Sequence, residues 1–182
     1  MKKALITIDY TRDFVADEGA LTCGEPGQSI ETELVQLTRS FIQSGDFVVF
    51  AIDLHEEHDR FHPETALFPR HNIRGTKGRD LYGELQTVLE ENVHQDHVYQ
   101  LDKTRYSAFA GTDLLLKLRE RGIEELHLSG VCTDICVLHT AIDAYNIGFK
   151  LVIHEQAVAS FNPTGHAWAL DHFKTALGVT IH

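Results

Sequence analysis

A chain of 182 residues, 43% hydrophobic and 24% charged with only four prolines, can bury a core and is too apolar to stay disordered. Its formal net charge of −11, with no basic run to offset it, argues against nucleic acid and anionic membranes as partners. The longest apolar runs, such as Phe47 to Ile52, are far too short to cross a bilayer, and Asp9 interrupts the basic-then-apolar start before a signal-peptide core can form.

Three cysteines, an odd number with no secretory leader, argue against a disulfide framework and for a reducing cytoplasm. The length suits one domain over residues 1–182. It leaves the assembly state open, a homo-oligomer included. Twelve histidines are many for this length, and several cluster between His55 and His71.

The pattern alternates strand and helix. Ala4 to Ile8 is a short apolar run that reads as a buried strand. Ser29 is placed to cap a helix whose apolar positions Ile30, Leu34, Leu37 and Phe41 recur at helical spacing, with Gly45 at its C-terminal end. Phe47 to Ile52 is the second strand, apolar on both faces. Residues 54–80 form a long polar segment holding Pro63 and Pro69, and loops beyond about 12–15 residues tend to be functional. A helix follows near Asp80 to Glu90, then a strand from His97 to Leu101. Next come a helix from Thr112 to Arg121, closed by Gly122, and a strand from Glu125 to Ser129. A helix over Cys136 to Asn146 ends near Gly148. Phe149 to Ile153 is the fifth strand, Gly165 to Leu177 the last helix, and Val179 to Ile181 a sixth, edge strand. Strands separated by helices pair in parallel through right-handed crossovers. The expected fold is therefore α/β: a three-layer αβα, doubly wound, mostly parallel sheet of about six strands. Its strand order does not follow from the pattern.

Open parallel sheets bind ligands beyond the carboxyl ends of their strands. Asp9 follows the first strand, Asp53 the second, Lys103 the third, and Cys132 and Cys136 the fourth. Four strands thus deliver two carboxylates, an amine and thiols to one edge. Any one of these is unremarkable in a polar loop, but the set together is not a chance scatter. Cys136, at the start of its helix, is the candidate nucleophile, since a helix N-terminus and a nearby lysine both lower a thiol pKa. Cys23 reads as a packing residue. Cys132 is open between packing and a disulfide with Cys136 under oxidation. In extended backbone Asp53 and His55 point the same way and can grip one cation, a carboxylate–imidazole pairing that suits zinc, iron or manganese.

Three segments resemble the isochorismatase-like cysteine hydrolases, and within them the nicotinamidases: Ala4 to Phe14, Lys103 to Phe109, and Gly130 to Val137 continued by Thr140 to Ala144. The stretch from Phe61-His62-Pro63-Glu64 through Phe68-Pro69-Arg70-His71-Asn72 to Gly75-Thr76 points to the nicotinamidase branch. The resemblance implies a catalytic triad of Asp9, Lys103 and Cys136, and one divalent metal ion, zinc ahead of iron or manganese, held by Asp53, His55 and His71. Glu64 is preferred to His58 or His62 as the fourth ligand. It further implies a cis peptide at Val131–Cys132, with the backbone N–H groups of Cys132 and Cys136 forming an oxyanion hole. Nicotinamide is the implied substrate, with Phe14, Phe68 and Tyr106 packing its ring. Cys132 stands where relatives often carry alanine or another apolar residue.

Two other classes fit less well. A dinucleotide-binding oxidoreductase lacks its G-x-G-x-x-G after the first strand, where Asp9-Tyr10-Thr11-Arg12 stands instead. A metal- or redox-binding module without catalysis would release no ammonia from any amide. Within the same fold, a metal-free hydrolase of another small amide leaves Asp53, His55 and His71 without a purpose.

Overall fold

The computed structural model describes residues 1–182. Six strands form one sheet: β1 (Lys2–Ile8), β2 (Phe47–Asp53), β3 (Val98–Lys103), β4 (Ile123–Val131), β5 (Lys150–Ala159) and β6 (Thr180–Ile181). Their order is β3-β2-β1-β4-β5-β6 and every pairing is parallel, so the sheet is wholly rather than mostly parallel. The order runs outward in both directions from the β1/β4 boundary. That boundary is the switch point where a crevice opens beyond the strand ends.

Seven helices accompany the sheet: α1 (Arg12–Val15), α2 (Glu25–Ser29), α3 (Glu31–Gln43), α4 (Glu84–Asn92), α5 (Leu114–Glu120), α6 (Leu138–Ile147) and α7 (Pro163–Thr175). Alternating side chains of the central strands feed two separate cores. On β2, Phe47, Val49 and Ala51 join the core beneath α5, α6 and α7, while Val48, Phe50 and Ile52 join the core beneath α3 and α4. Each fully buried large side chain, such as Phe50 or Phe173, contributes about 1.5–3 kcal/mol. A strand buried on both faces cannot show the polar alternation of a surface strand, which is why β2 reads as a continuous apolar run.

Several boundaries differ from the sequence expectation. Ser29 does not cap α3: it closes the short α2, its hydroxyl donates to Pro26 O, and Ile30 occupies the cap position. The first turn of α3 carries Glu31 and Glu33, which favour the positive end of the helix dipole without a capping side chain. The last helix starts at Pro163 because the Asn162 side chain accepts the Gly165 N–H at 3.1 Å. Residues 54–80, expected as a polar loop, contain 3₁₀ turns at Pro63–Ala66 and Lys77–Arg79. The strand expected over Phe149 to Ile153 continues to Ala159. Its polar middle, His154 to Gln156, breaks the apolar pattern before Ala157, Val158 and Ala159 become buried again.

Gly130 fixes how closely β4 approaches β1. Its φ is +109°, and a Cβ there would lie 1.9 Å from Ile8 O. Glycine alone permits this contact, one residue before the Val131–Cys132 peptide, which is cis, as the resemblance implied.

Candidate active site

Asp9, Asp53, Lys103 and Cys132 all sit at or one residue beyond the ends of the four adjacent strands β1, β2, β3 and β4. Asp53 is register partner to Lys103, and Ile8 to Gly130. Asp9 turns sharply off β1 with φ +55°, a conformation that aspartate tolerates better than most residues. Its Oδ1 accepts the Asp53 N–H at 2.8 Å, and its Oδ2 lies 2.7 Å from Lys103 Nζ. The same ammonium is 3.6 Å from Asp53 Oδ1 and 3.8 Å from Cys136 Sγ, and it donates to Arg105 O at 3.0 Å. Lys103 Nζ thus stands between the Asp9 carboxyl and the Cys136 sulfur. The structure therefore gathers the expected acid, lysine and thiol in one buried group.

The electrostatics correct one expectation. Cys136 lies in a π-helical turn, Thr133–Val137, that runs directly into α6, so it stands in the first turn of a continuous helix as expected, yet its thiol is not lowered. Burial pushes its thiol well above the ordinary range; Lys103 pulls it down, but Asp9 and Asp53 push it up again. These influences together favour the neutral thiol. Burial raises the Asp9 carboxyl, Lys103 lowers it and Asp53 raises it, leaving it at about 6. Burial alone would also raise Asp53, but the charge of Lys103 and the hydrogen bond from His55 outweigh it and hold this carboxyl low. Lys103 is held protonated: burial opposes the charge, and Asp9, Cys136 and Asp53 together overcome it. A neutral thiol beside a carboxylate able to take its proton is an arrangement for general-base-assisted attack.

The π-helical turn closes on Cys132, whose carbonyl accepts from the N–H groups of both Ile135 and Val137 at 3.1 and 3.2 Å. Residues 132 and 136, whose amides were expected as oxyanion donors, thus belong to one closed turn. Thr140 Oγ1 donates to Cys136 O at 2.8 Å and accepts the Ala108 N–H at 3.0 Å, pinning this turn to the segment after β3. Sequence reasoning missed Thr140 in that role, because the pairing joins segments 32 residues apart.

A second group adjoins the first. Asp53, His55 and His71 are buried and offer ligand atoms within 4.8 Å of one another, as do His55, His62 and Glu64. His55 Nε2 is 2.9 Å from Asp53 Oδ2; His71 Nε2 is 3.5 Å from Asp53 Oδ2 and 3.6 Å from Glu64 Oε2. His71 Nδ1 donates to Pro69 O at 2.7 Å, which leaves Nε2 turned into the cluster, buried and without a hydrogen-bond partner. An orphaned imidazole nitrogen among carboxylates fits a cation. Burial lowers the His71 pKa, but its contacts with Glu64, Pro69 O and Asp53 raise it overall. His62 differs: Nδ1 accepts the Glu64 N–H at 3.2 Å and Nε2 donates to Thr104 O at 2.7 Å, so both ring nitrogens are occupied. His58 is exposed and stands outside both groups.

A cavity of about 380 Å³ opens over the thiol. Phe14, Phe68 and Tyr106 line it together with Cys132, Cys136 and Glu64, so it touches both the thiol and the carboxylate–imidazole cluster. Phe161 and the Gly19–Thr22 loop complete its wall, and neither was anticipated. Asn72 was expected only as part of a motif; it has φ +45°, its side chain reaches Asp53 Oδ2 at 3.4 Å, and its N–H donates to Asp13 at 2.7 Å.

Known proteins match along the whole chain. A family model, the isochorismatase domain, matches residues 3–182. The uncharacterized isochorismatase family protein PncA of Bacillus subtilis (strain 168) is 65% identical over 181 residues, covering 100% of this chain and 99% of its own. The crystal structure of nicotinamidase/pyrazinamidase PncA from Bacillus subtilis superposes with a TM-score of 0.99 at 65% identity, again over 100% and 99% of the two chains. That of the Pyrococcus horikoshii pyrazinamidase in complex with zinc gives 0.85 at 30% identity, over 100% and 99%. Fold and matches together define a hydrolase built on a three-layer, wholly parallel α/β sheet. The chain belongs to the isochorismatase family.

Proposed function

We propose that the chain is a nicotinamidase, converting nicotinamide and water to nicotinate and ammonia through a thioester on Cys136. The observation that carries this reading is the shared cavity: one ring-sized, aromatic-walled space is lined by both Cys136 and Glu64. A flat pyridine carboxamide can present its amide to the thiol while its ring nitrogen reaches the carboxylate–imidazole cluster. The likeness to nicotinamidase and pyrazinamidase structures supports the same choice.

Asp9 takes the thiol proton as the sulfur attacks the carboxamide carbon. The tetrahedral oxyanion is met by the backbone N–H groups of Cys132 and Cys136, each donor contributing about 3 kcal/mol. Asp9 returns the proton to the departing ammonia, and the thioester remains. Asp9 then deprotonates a water that attacks the thioester, nicotinate leaves, and the thiol is restored. Lys103 stays protonated throughout and keeps Asp9 and Asp53 tolerable as buried anions. Phe14, Phe68 and Tyr106 sandwich the ring and exclude water. Asp53, His55, Glu64 and His71 would hold a divalent metal, zinc ahead of iron or manganese, which when bound supplies a Lewis-acid anchor for the pyridine nitrogen. Glu64 is preferred to His62 because both His62 nitrogens are committed. Three free cysteines suit the cytoplasm, where deamidating nicotinamide serves NAD salvage.

Ammonia release from nicotinamide tests the reading. The wild-type chain should release it, Cys136→Ala should not while keeping its circular dichroism spectrum, and a chelator should suppress release until divalent metal is returned. Undiminished turnover by Cys136→Ala would overturn the assignment. Full activity in a metal-stripped sample would remove the metal from it.

A further inference from the structure

We propose that Cys23 and Cys132 form a peroxide-reactive dithiol whose oxidation to a disulfide reversibly shuts the pocket. The two sulfurs lie 3.2 Å apart, joined by a hydrogen bond across 109 residues of sequence. Cys23 belongs to the loop between α1 and α2, the loop whose preceding residues, Gly19 to Thr22, wall the cavity. Cys132 lines that cavity and begins the nucleophile turn, so the cavity is the route by which hydrogen peroxide would approach it. Neither sulfur pairs with Cys136 in this arrangement, which redirects the disulfide anticipated between Cys132 and Cys136. Cys23, read from sequence as packing alone, becomes half of a pair.

The pair is chemically uneven. The hydrogen bond from Cys132 lowers the Cys23 thiol against the effect of burial, and the Phe161 backbone amide lowers it further. The same contact and burial raise Cys132. Once the pair is ionised the Cys23 sulfur holds the charge, and it takes the Cys132 proton across the 3.2 Å contact as the cavity-lining sulfur attacks. In that attack on peroxide an S–O bond forms, the O–O bond breaks, and the departing hydroxide takes the proton from Cys23 as water, leaving a sulfenic acid on Cys132 and a thiolate on Cys23. Cys23 then attacks the sulfenic sulfur; the S–S bond forms, the S–O bond breaks, and a second water leaves. Two thiols and one peroxide give one disulfide and two waters.

Bond formation requires the sulfurs to close to about 2.05 Å, roughly 1.2 Å nearer than they stand. Gly24, with φ +62° and open space about it, lets the loop follow. The movement falls on the residue whose amide is read above as an oxyanion donor, and on the loop that walls the substrate space. The effect on turnover rests on that catalytic reading; the dithiol itself does not.

Two measurements test the proposal separately. Cys136→Ala, treated with one equivalent of hydrogen peroxide and digested without reductant, should yield a Cys23–Cys132 cross-linked peptide and an intact mass lower by two hydrogens. Oxygen adducts without the cross-link would overturn the site. For the switch, wild type and Cys23→Ser (with Cys23→Ala beside it should serine disturb folding by circular dichroism) are assayed with nicotinamide before and after peroxide. Wild-type kcat/KM should fall by about tenfold or more and recover with dithiothreitol, because displacements near 1 Å are costly at a reacting centre. The Cys23 variants should keep their rates. Equal losses in all three would place the damage at Cys136 and overturn the switch. A cross-link in a protein that never hydrolyses nicotinamide would sink the catalytic reading and the switch while sparing the dithiol.

Discussion

Asp9 and Asp53 flank the same buried ammonium, yet their carboxyls are driven in opposite directions. Asp53 has His55 as well as Lys103 to stabilise its charge, whereas Asp9 relies mainly on Lys103 and feels Asp53 as a repulsive neighbour. The difference divides their work: one carboxylate stays an anion beside imidazoles, while the other can hold or release a proton next to a thiol. Replacing Asp9 by Asn should therefore cut kcat by about 10²–10⁴ while KM stays close to wild type. A pure rise in KM under steady-state assay would show that Asp9 only binds. Lys103 is fully buried, and Lys103→Met keeps its bulk while stranding two carboxylates. Urea unfolding should reveal a loss of about 3–5 kcal/mol. An unchanged midpoint and slope would show that the ammonium is not their counter-charge.

At the scale of strands and helices, the close β1–β4 approach at Gly130 is the most demanding local feature. Gly130→Ala combines a left-handed φ with a Cβ 1.9 Å from a backbone oxygen, so it should destabilise the fold strongly and yield little soluble protein. A well-folded alanine variant with a wild-type melting temperature would refute that account. The central strands and long helices were legible because each carries its own signal, an apolar run for β2 and a helical stripe on α3. What was not legible depends on partners from elsewhere. The first amide of α4, Glu84 N–H, donates to Glu31 Oε1 from another helix at 2.8 Å, a cap invisible in the residues just before it. The end of β5 was lost because its polar stretch at His154 to Gln156 resembles a loop.

Across the whole molecule, the four strand-end residues could be placed because a parallel sheet brings its carboxyl ends to one edge whatever the strand order. The contacts that cross that edge could not. Cys23 with Cys132, Thr140 with Ala108, and Phe161 on the cavity wall follow from how loops fold over the sheet. The upward shift of the Cys136 thiol was not legible for the same reason, since burial and two carboxylates push it up against one lysine. Away from this edge, His127 and His154 join across β4 and β5 at 2.8 Å, with Glu125 on the far side of His127, His182 stacked on His154, and Lys3 nearby. Burial, then the charges of His127, His182 and Lys3, lower His154 to about 4, and burial lowers His127 despite Glu125. Below the ordinary histidine pKa near 6.5 this pair therefore binds more protons in the unfolded chain than in the folded one. The pair's contribution to stability should fall as pH drops from about 6.5 to about 4. Thermal melts of wild type and His154→Gln across that window should show a shallower pH slope for the variant; parallel slopes would exclude the pair as the cause.

The most direct test of the catalytic account is chemical trapping on the sulfur. Protein turning over nicotinamide, quenched in acid within milliseconds and digested, should carry a nicotinoyl group on the peptide containing Cys136 and on no other. Sustained ammonia release with that peptide unmodified at every quench time would contradict attack by this thiol.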